Sequence, residues 1–94
     1  MTHDAAFYFA NLGADVTRCV SAAKQGNDTR YHDSLSRAYR TLEELHKAAR
    51  PEAYEEGLLM LRGLAFARAT PETLTSFQTS LDSLIAVFSA RLTI

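Results

Sequence analysis

The sequence has one cysteine, two prolines and four glycines in 94 residues, and each shortage removes a class of answers. Cys19 alone cannot form an intramolecular disulfide or a multi-cysteine metal site, and a single thiol suits a reducing compartment. The scattered glycines make no phosphate-cradling loop, and neither a zinc-ligand spacing nor a G-x-S-x-G elbow occurs. Long apolar runs are missing too. The opening stretch MTHDAAFYFANLGADV has no basic leader region and is interrupted by Asn11, Gly13 and Asp15. It therefore reads as neither signal peptide nor membrane span, and a cytoplasmic location is expected. Charge of neither sign dominates: ten Lys and Arg against eleven Asp and Glu leave a net charge of -1. That balance supplies no overall pull toward nucleic acid or an anionic membrane.

What is present is ordinary globular material, 47% hydrophobic and 22% charged, without low-complexity runs. A chain this short cannot divide its apolar residues between two cores, so residues 1–94 are expected to form a single helical-bundle domain. Turn signals cut it into four segments. In KQGND, Gly26 suits a left-handed helix cap, and Asn27 or Asp28 can cap the following helix. In AARPE, Pro51 disfavours helix at Arg50 but fits a first helical position, with Glu52 beside the positive end of the dipole. ATPET repeats the device with Thr70, Pro71 and Glu72.

Within the segments the apolar residues recur at helical spacing, and none alternates as a strand does. Ala5, Phe9, Leu12, Val16, Cys19 and Ala23 form one stripe; Tyr31, Leu35, Ala38, Leu42, Leu45 and Ala49 form the next. A third pair of stripes runs through Ala53, Gly57, Met60, Leu64 and Ala67 and through Tyr54, Leu58, Leu61 and Ala65. The last joins Leu74, Phe77, Leu81, Leu84 and Phe88, widened by Ile85, Val87 and Leu92. The fold class is therefore all-α. Short links favour antiparallel neighbours, hence an up-down-up-down four-helix bundle. If Pro51 merely kinked one long helix, the alternative would be a long helical hairpin completed by dimerisation.

Some residues fall outside these stripes and need another partner. Leu59 and Phe66 lie seven apart on one line of the third helix, with Arg62 and Gly63 between them, and self-association is the cheapest explanation. From Thr70 to Ile94 there are nine Ser and Thr residues and only three charges, so packing must hold this segment helical. Its outer face, including Ser76, Thr79, Ser83, Ala86 and Ala90, is small and nearly uncharged, which suits close approach of another helix. Phe7 and Tyr8 add an aromatic edge beside the first stripe.

In RTLEELH, Arg40 and His46 make an R-x5-H pair, which resembles the R-x4-6-H signature of HEPN-type helical ribonucleases. The resemblance covers this motif alone, with Thr41 in the usual polar place after the arginine. It implies an RNA-binding or ribonuclease dimer in which Arg40 and His46 act on one phosphate, usually across a dimer groove. In that family the motif tends to lie near the C-terminal end of a longer bundle, whereas here it is in the second helix. The helical step puts the two side chains about 120° apart and roughly 9 Å along the axis, so within one chain they diverge. Arg40 then joins a solvated i,i+4 ladder of Asp33 with Arg37, Arg40 with Glu44 and Glu43 with Lys47.

Other chemistry is weakly supplied. Glu43 and His46 have the Glu-x-x-His spacing of a di-iron site, but there is one such motif where two are required. Cys19 sits on an apolar stripe as core filler, and the pairs Glu43, Glu44 and Glu55, Glu56 fan outward as surface charge. The basic residues of the second helix are interleaved with Asp33, Glu43 and Glu44, so nucleic acid is a weakly supported partner. No catalytic, cofactor or metal residue stands out, and a membrane partner is not expected. The expectation is a non-catalytic interaction or accessory module acting through homodimerisation, with a further protein partner open and the HEPN-like reading as its alternative.

Overall fold

The computed structural model describes residues 3–92 and has four helices: α1 (Ala5–Lys24), α2 (Asp28–Lys47), α3 (Pro51–Ala67) and α4 (Pro71–Leu92). Thr93, counted above among the hydroxyl residues of the last segment, lies outside the described residues. The helices pack as an up-down-up-down bundle. Residue pairs run in opposite directions between α1 and each helix flanking it: Thr41 and Tyr31 of α2 reach Asp15 and Cys19 of α1, and Phe88 and Gln78 of α4 reach Phe9 and Lys24. No described helix is long and apolar enough to cross a membrane.

The punctuation read from the sequence sets the helix ends. Asp4 accepts the Phe7 amide at 3.0 Å to cap α1. At the other end Gly26 has φ 68°, and the amides of Gly26 and Asn27 return to the carbonyls of Ala23 and Ala22 at 3.1 and 2.9 Å, a Schellman closure. Asn27 then accepts the Arg30 amide at 3.1 Å and starts α2. Before α4, Thr70 and Thr73 cap reciprocally, each side-chain oxygen taking the other's amide at 3.2 Å. Thr75 and Thr79 donate their hydroxyls to the carbonyls of Pro71 and Thr75, so part of the Ser and Thr load of α4 is absorbed within the helix.

Pro51 makes a turn, which rules out the long-hairpin alternative. Helix α2 stops at Lys47 and Ala49 takes φ 59°, so the chain reverses before Pro51 starts α3. Arg50 pairs with Glu52 and holds its carboxyl below the ordinary value. Ala49 was expected on the apolar stripe of α2; it is exposed and left-handed, at the middle of the three-residue link in which the chain reverses direction.

The bundle is a flattened rhombus, with extents of 37 × 24 × 16 Å. Helices α1 and α3 touch across the short diagonal, while among the described residues the backbones of α2 and α4 stay apart. Gly57 makes the approach possible: a Cβ there would lie 2.7 Å from Leu12 Cδ2 and 2.9 Å from Leu42 Cδ1. Because α1 meets all three other helices, its buried face exceeds the single stripe and takes in Gly13, Asp15, Val20 and Ala22. Asp15 is 4% exposed and accepts hydrogen bonds from Arg18 Nη1 and from Thr41 Oγ1 of α2, both at 3.1 Å. Val87, expected to widen the core face of α4, is exposed instead, since it lies about 120° around the helix from Leu81.

A left-handed non-glycine residue costs roughly 1–2 kcal/mol, a cost glycine avoids. Ala49→Gly is expected to stabilise the bundle by about 1 kcal/mol, after the extra unfolded-state entropy of glycine is deducted. Urea unfolding with an unchanged slope checks this, and a lower midpoint would contradict it.

Candidate functional site

The outer strip of α3 is where the structure departs most from a solvated surface. Phe66 is 83% exposed and Leu59 is 56% exposed, and Arg62 between them is exposed as well. From Gly57 to Ala67 the only charged residue is Arg62. A helix with so little polar surface is normally enclosed on all sides, whereas α3 is covered by its neighbours only on its inner arc. Gly63, expected on this surface, is half-buried: a Cβ there would meet the Phe77 ring of α4 at 2.8 Å. It serves the α3–α4 packing.

Ser76, Thr79, Ser83, Ala86 and Ala90 are all exposed on α4. By the helical step, Ser76, Ser83 and the unforeseen Val87 turn toward α3, while Thr79 and Ala86 turn away. The first group continues the strip of Leu59 and Phe66. Phe7 and Tyr8 do not join it, because α1 lies diagonally opposite α3. Phe7 is exposed and stacks on His3 with centroids 3.7 Å apart; Tyr8 is half-buried toward α2.

Arg40 and His46 border one surface groove, although their helical spacing turns them apart. Both line a groove of about 470 Å³ between α2 and α3, with Tyr39, Leu42, Glu43, Tyr54 and Leu58. The groove spans the arc that separates them, and its far wall belongs to α3. His46 stacks on Tyr54 with centroids 4.3 Å apart and planes at 24°. Arg40 straddles the crest of α2 and also lines the α1–α2 cleft with Tyr8, Asn11 and Thr41. The predicted charge ladder does not form. Lys47 pairs with Glu44 at 3.3 Å, and among the described residues Arg37, Arg40 and Glu43 have no ion pair.

Glu43 points to solvent, and among the described residues no three His, Cys, Asp or Glu side chains gather as a metal site requires. Cys19 is fully buried, with its thiol 3.9 Å from the Tyr31 carbonyl. Burial, and then the negative Asp15, push this thiol from 9.0 up to about 11. Sequence reasoning missed Asp15, whose partner Thr41 is 26 residues away. It also missed Arg68, which covers the Tyr31 ring at 3.9 Å and pairs with Asp28 at 3.2 Å, tying the α3–α4 turn to the start of α2.

Compared with protein-family models, with curated proteins and with solved structures, the chain matches none.

With its pKa raised on folding, protonated Cys19 contributes stability that is fully present below about 9 and is lost as pH rises through about 11. At neutral pH the native chain is expected to react with a thiol reagent only as fast as it opens, and at once in denaturant. Rapid stoichiometric labelling of the folded protein would show the thiol to be accessible.

Proposed function

We propose that this chain is a non-catalytic interaction module that self-associates through the outer strip of α3 and the adjoining edge of α4. The observation that carries the reading is the 83% exposure of Phe66 on a helix segment with one charge, seven residues from the exposed Leu59. Burying such a side chain is worth roughly 1.5–3 kcal/mol, so the four in a two-fold contact contribute roughly 6–12 kcal/mol. Association itself costs roughly 4–15 kcal/mol. The terms are comparable, so any association through this strip depends on protein concentration. The small residues of α4 beside the strip let a partner helix approach without desolvating long charged side chains. A cytoplasmic setting accords with the single buried thiol.

A second reading has one observation in its favour. Arg40 and His46 share a groove that also presents Tyr39 and Tyr54, so a cation and ring faces are within reach of a single-stranded nucleic acid. In this HEPN-like alternative the dimer would bind or cleave RNA.

In sedimentation equilibrium, wild-type protein at tens of micromolar is expected to carry dimer mass. Phe66→Glu is expected to weaken association at least about ten-fold while leaving the circular dichroism unchanged. A strictly monomeric wild type removes the self-association reading, and an unaltered mass for the variant removes α3 as the surface. For the second reading, His46→Ala is expected to lose RNA binding in a gel shift or cleavage assay; equal behaviour of the two chains discards it.

A further inference from the structure

The strip on α3 is its own electrostatic complement when a second copy lies across it in the opposite direction. Its first half carries exposed Glu55, with half-buried Glu56 at its edge, its second half carries Arg62, and Leu59 stands between them. Among the described residues none of these three charges has an ion pair within the chain, whereas Glu52 is engaged by Arg50 and Arg68 by Asp28. Glu55 and Arg62 cannot satisfy each other, being roughly 10 Å apart along the helix by its rise. They are exposed charges of opposite sign, placed on either side of an exposed apolar residue.

We infer that the chain forms a two-fold symmetric dimer in which α3 packs antiparallel to α3 of a second copy, with the axis at Leu59. This rests on the self-association reading above and names its geometry. The glutamates lie roughly 4.5–6 Å before Leu59 along the helix and Arg62 roughly 4.5 Å after it. Reversal about Leu59 therefore sets Arg62 against the partner's Glu55, with Glu56 adding to the negative field beside it, and symmetry repeats the contact. A parallel arrangement would oppose Glu to Glu and Arg to Arg, which costs affinity. The same reversal carries Phe66, seven residues beyond the axis, onto the first turn of the partner's α3, where Pro51 exposes its ring. The apolar residues supply attraction and the charges set direction.

The test uses surface charge changes on the full chain. Arg62→Glu makes the strip wholly negative, and the double variant Glu55→Arg with Glu56→Arg makes it wholly positive. Each alone is expected to associate at least about ten-fold more weakly than wild type in sedimentation equilibrium, and their equimolar mixture to recover dimer mass. In a second measurement, Arg62→Cys and Glu55→Cys chains mixed under mild oxidation are expected to cross-link to each other in preference to themselves; buried Cys19 takes no part. A dimeric wild type whose association is unchanged by both charge variants, or cysteine variants that each cross-link only to themselves, overturns the antiparallel geometry and leaves self-association standing. A wild type that stays monomeric overturns both.

Discussion

Gly57 presents bare backbone to Leu12, Leu42 and Leu45, and the arrangement of the bundle depends on that close seating. A glycine inside a helix forfeits about 1 kcal/mol of helix propensity against alanine. The return is that α3 drops onto α1 and α2 together, so leucine ends fill the space a methyl group would take. The diagonal between α1 and α3 shortens, and α2 and α4 are held apart on either side of it. A square bundle would share its core among four equal faces; in this one α1 and α3 each touch all three other helices.

Two consequences follow for the surface. Because α1 is enclosed on three sides, it can bury a carboxylate, and Asp15 is accommodated there by Arg18 and Thr41. A buried polar group is tolerated only where its partners are fixed, so this contact also pins the register of α1 against α2. Helix α3 stands at the other end of the short diagonal and also touches all three other helices, yet its outer arc is uncovered and carries Leu59 and Phe66. The same packing that completes the interior leaves apolar surface outside, which the proposed dimer would cover.

Much of the fold was legible because its signals are local. Gly26 with Asn27, Pro51 and the Thr70–Pro71 pair act on backbone dihedrals and on the free amides of the adjoining turn, so their effects do not wait for tertiary contacts. The exposed positions of Leu59, Phe66 and Arg62 were legible for a related reason: helical periodicity fixes which residues share an arc. Periodicity failed where an arc meets more or fewer neighbours than a regular bundle gives. Ala49 left its stripe because the link to α3 was short, and Val87 left the core because, among the described residues, α4 packs on α1 and α3 alone and its position about 120° around from Leu81 is not covered.

RTLEELH divides along the same line. That Leu42 and Leu45 are core and Arg40 is not follows from the sequence alone, since spacing along a helix sets angles around it. Whether Arg40 and His46 share a surface depends on what stands opposite, and Tyr54 and Leu58 come from another helix. The sequence by itself determined four helices, their ends and the apolar arcs, because these depend on neighbours within a few residues. Only the tertiary structure decided that α1 and α3 meet, that Asp15 is buried, that Gly63 faces Phe77 and that a groove joins Arg40 to His46. Each of those depends on the distance between helices, and that distance is set by side-chain volumes summed across the core.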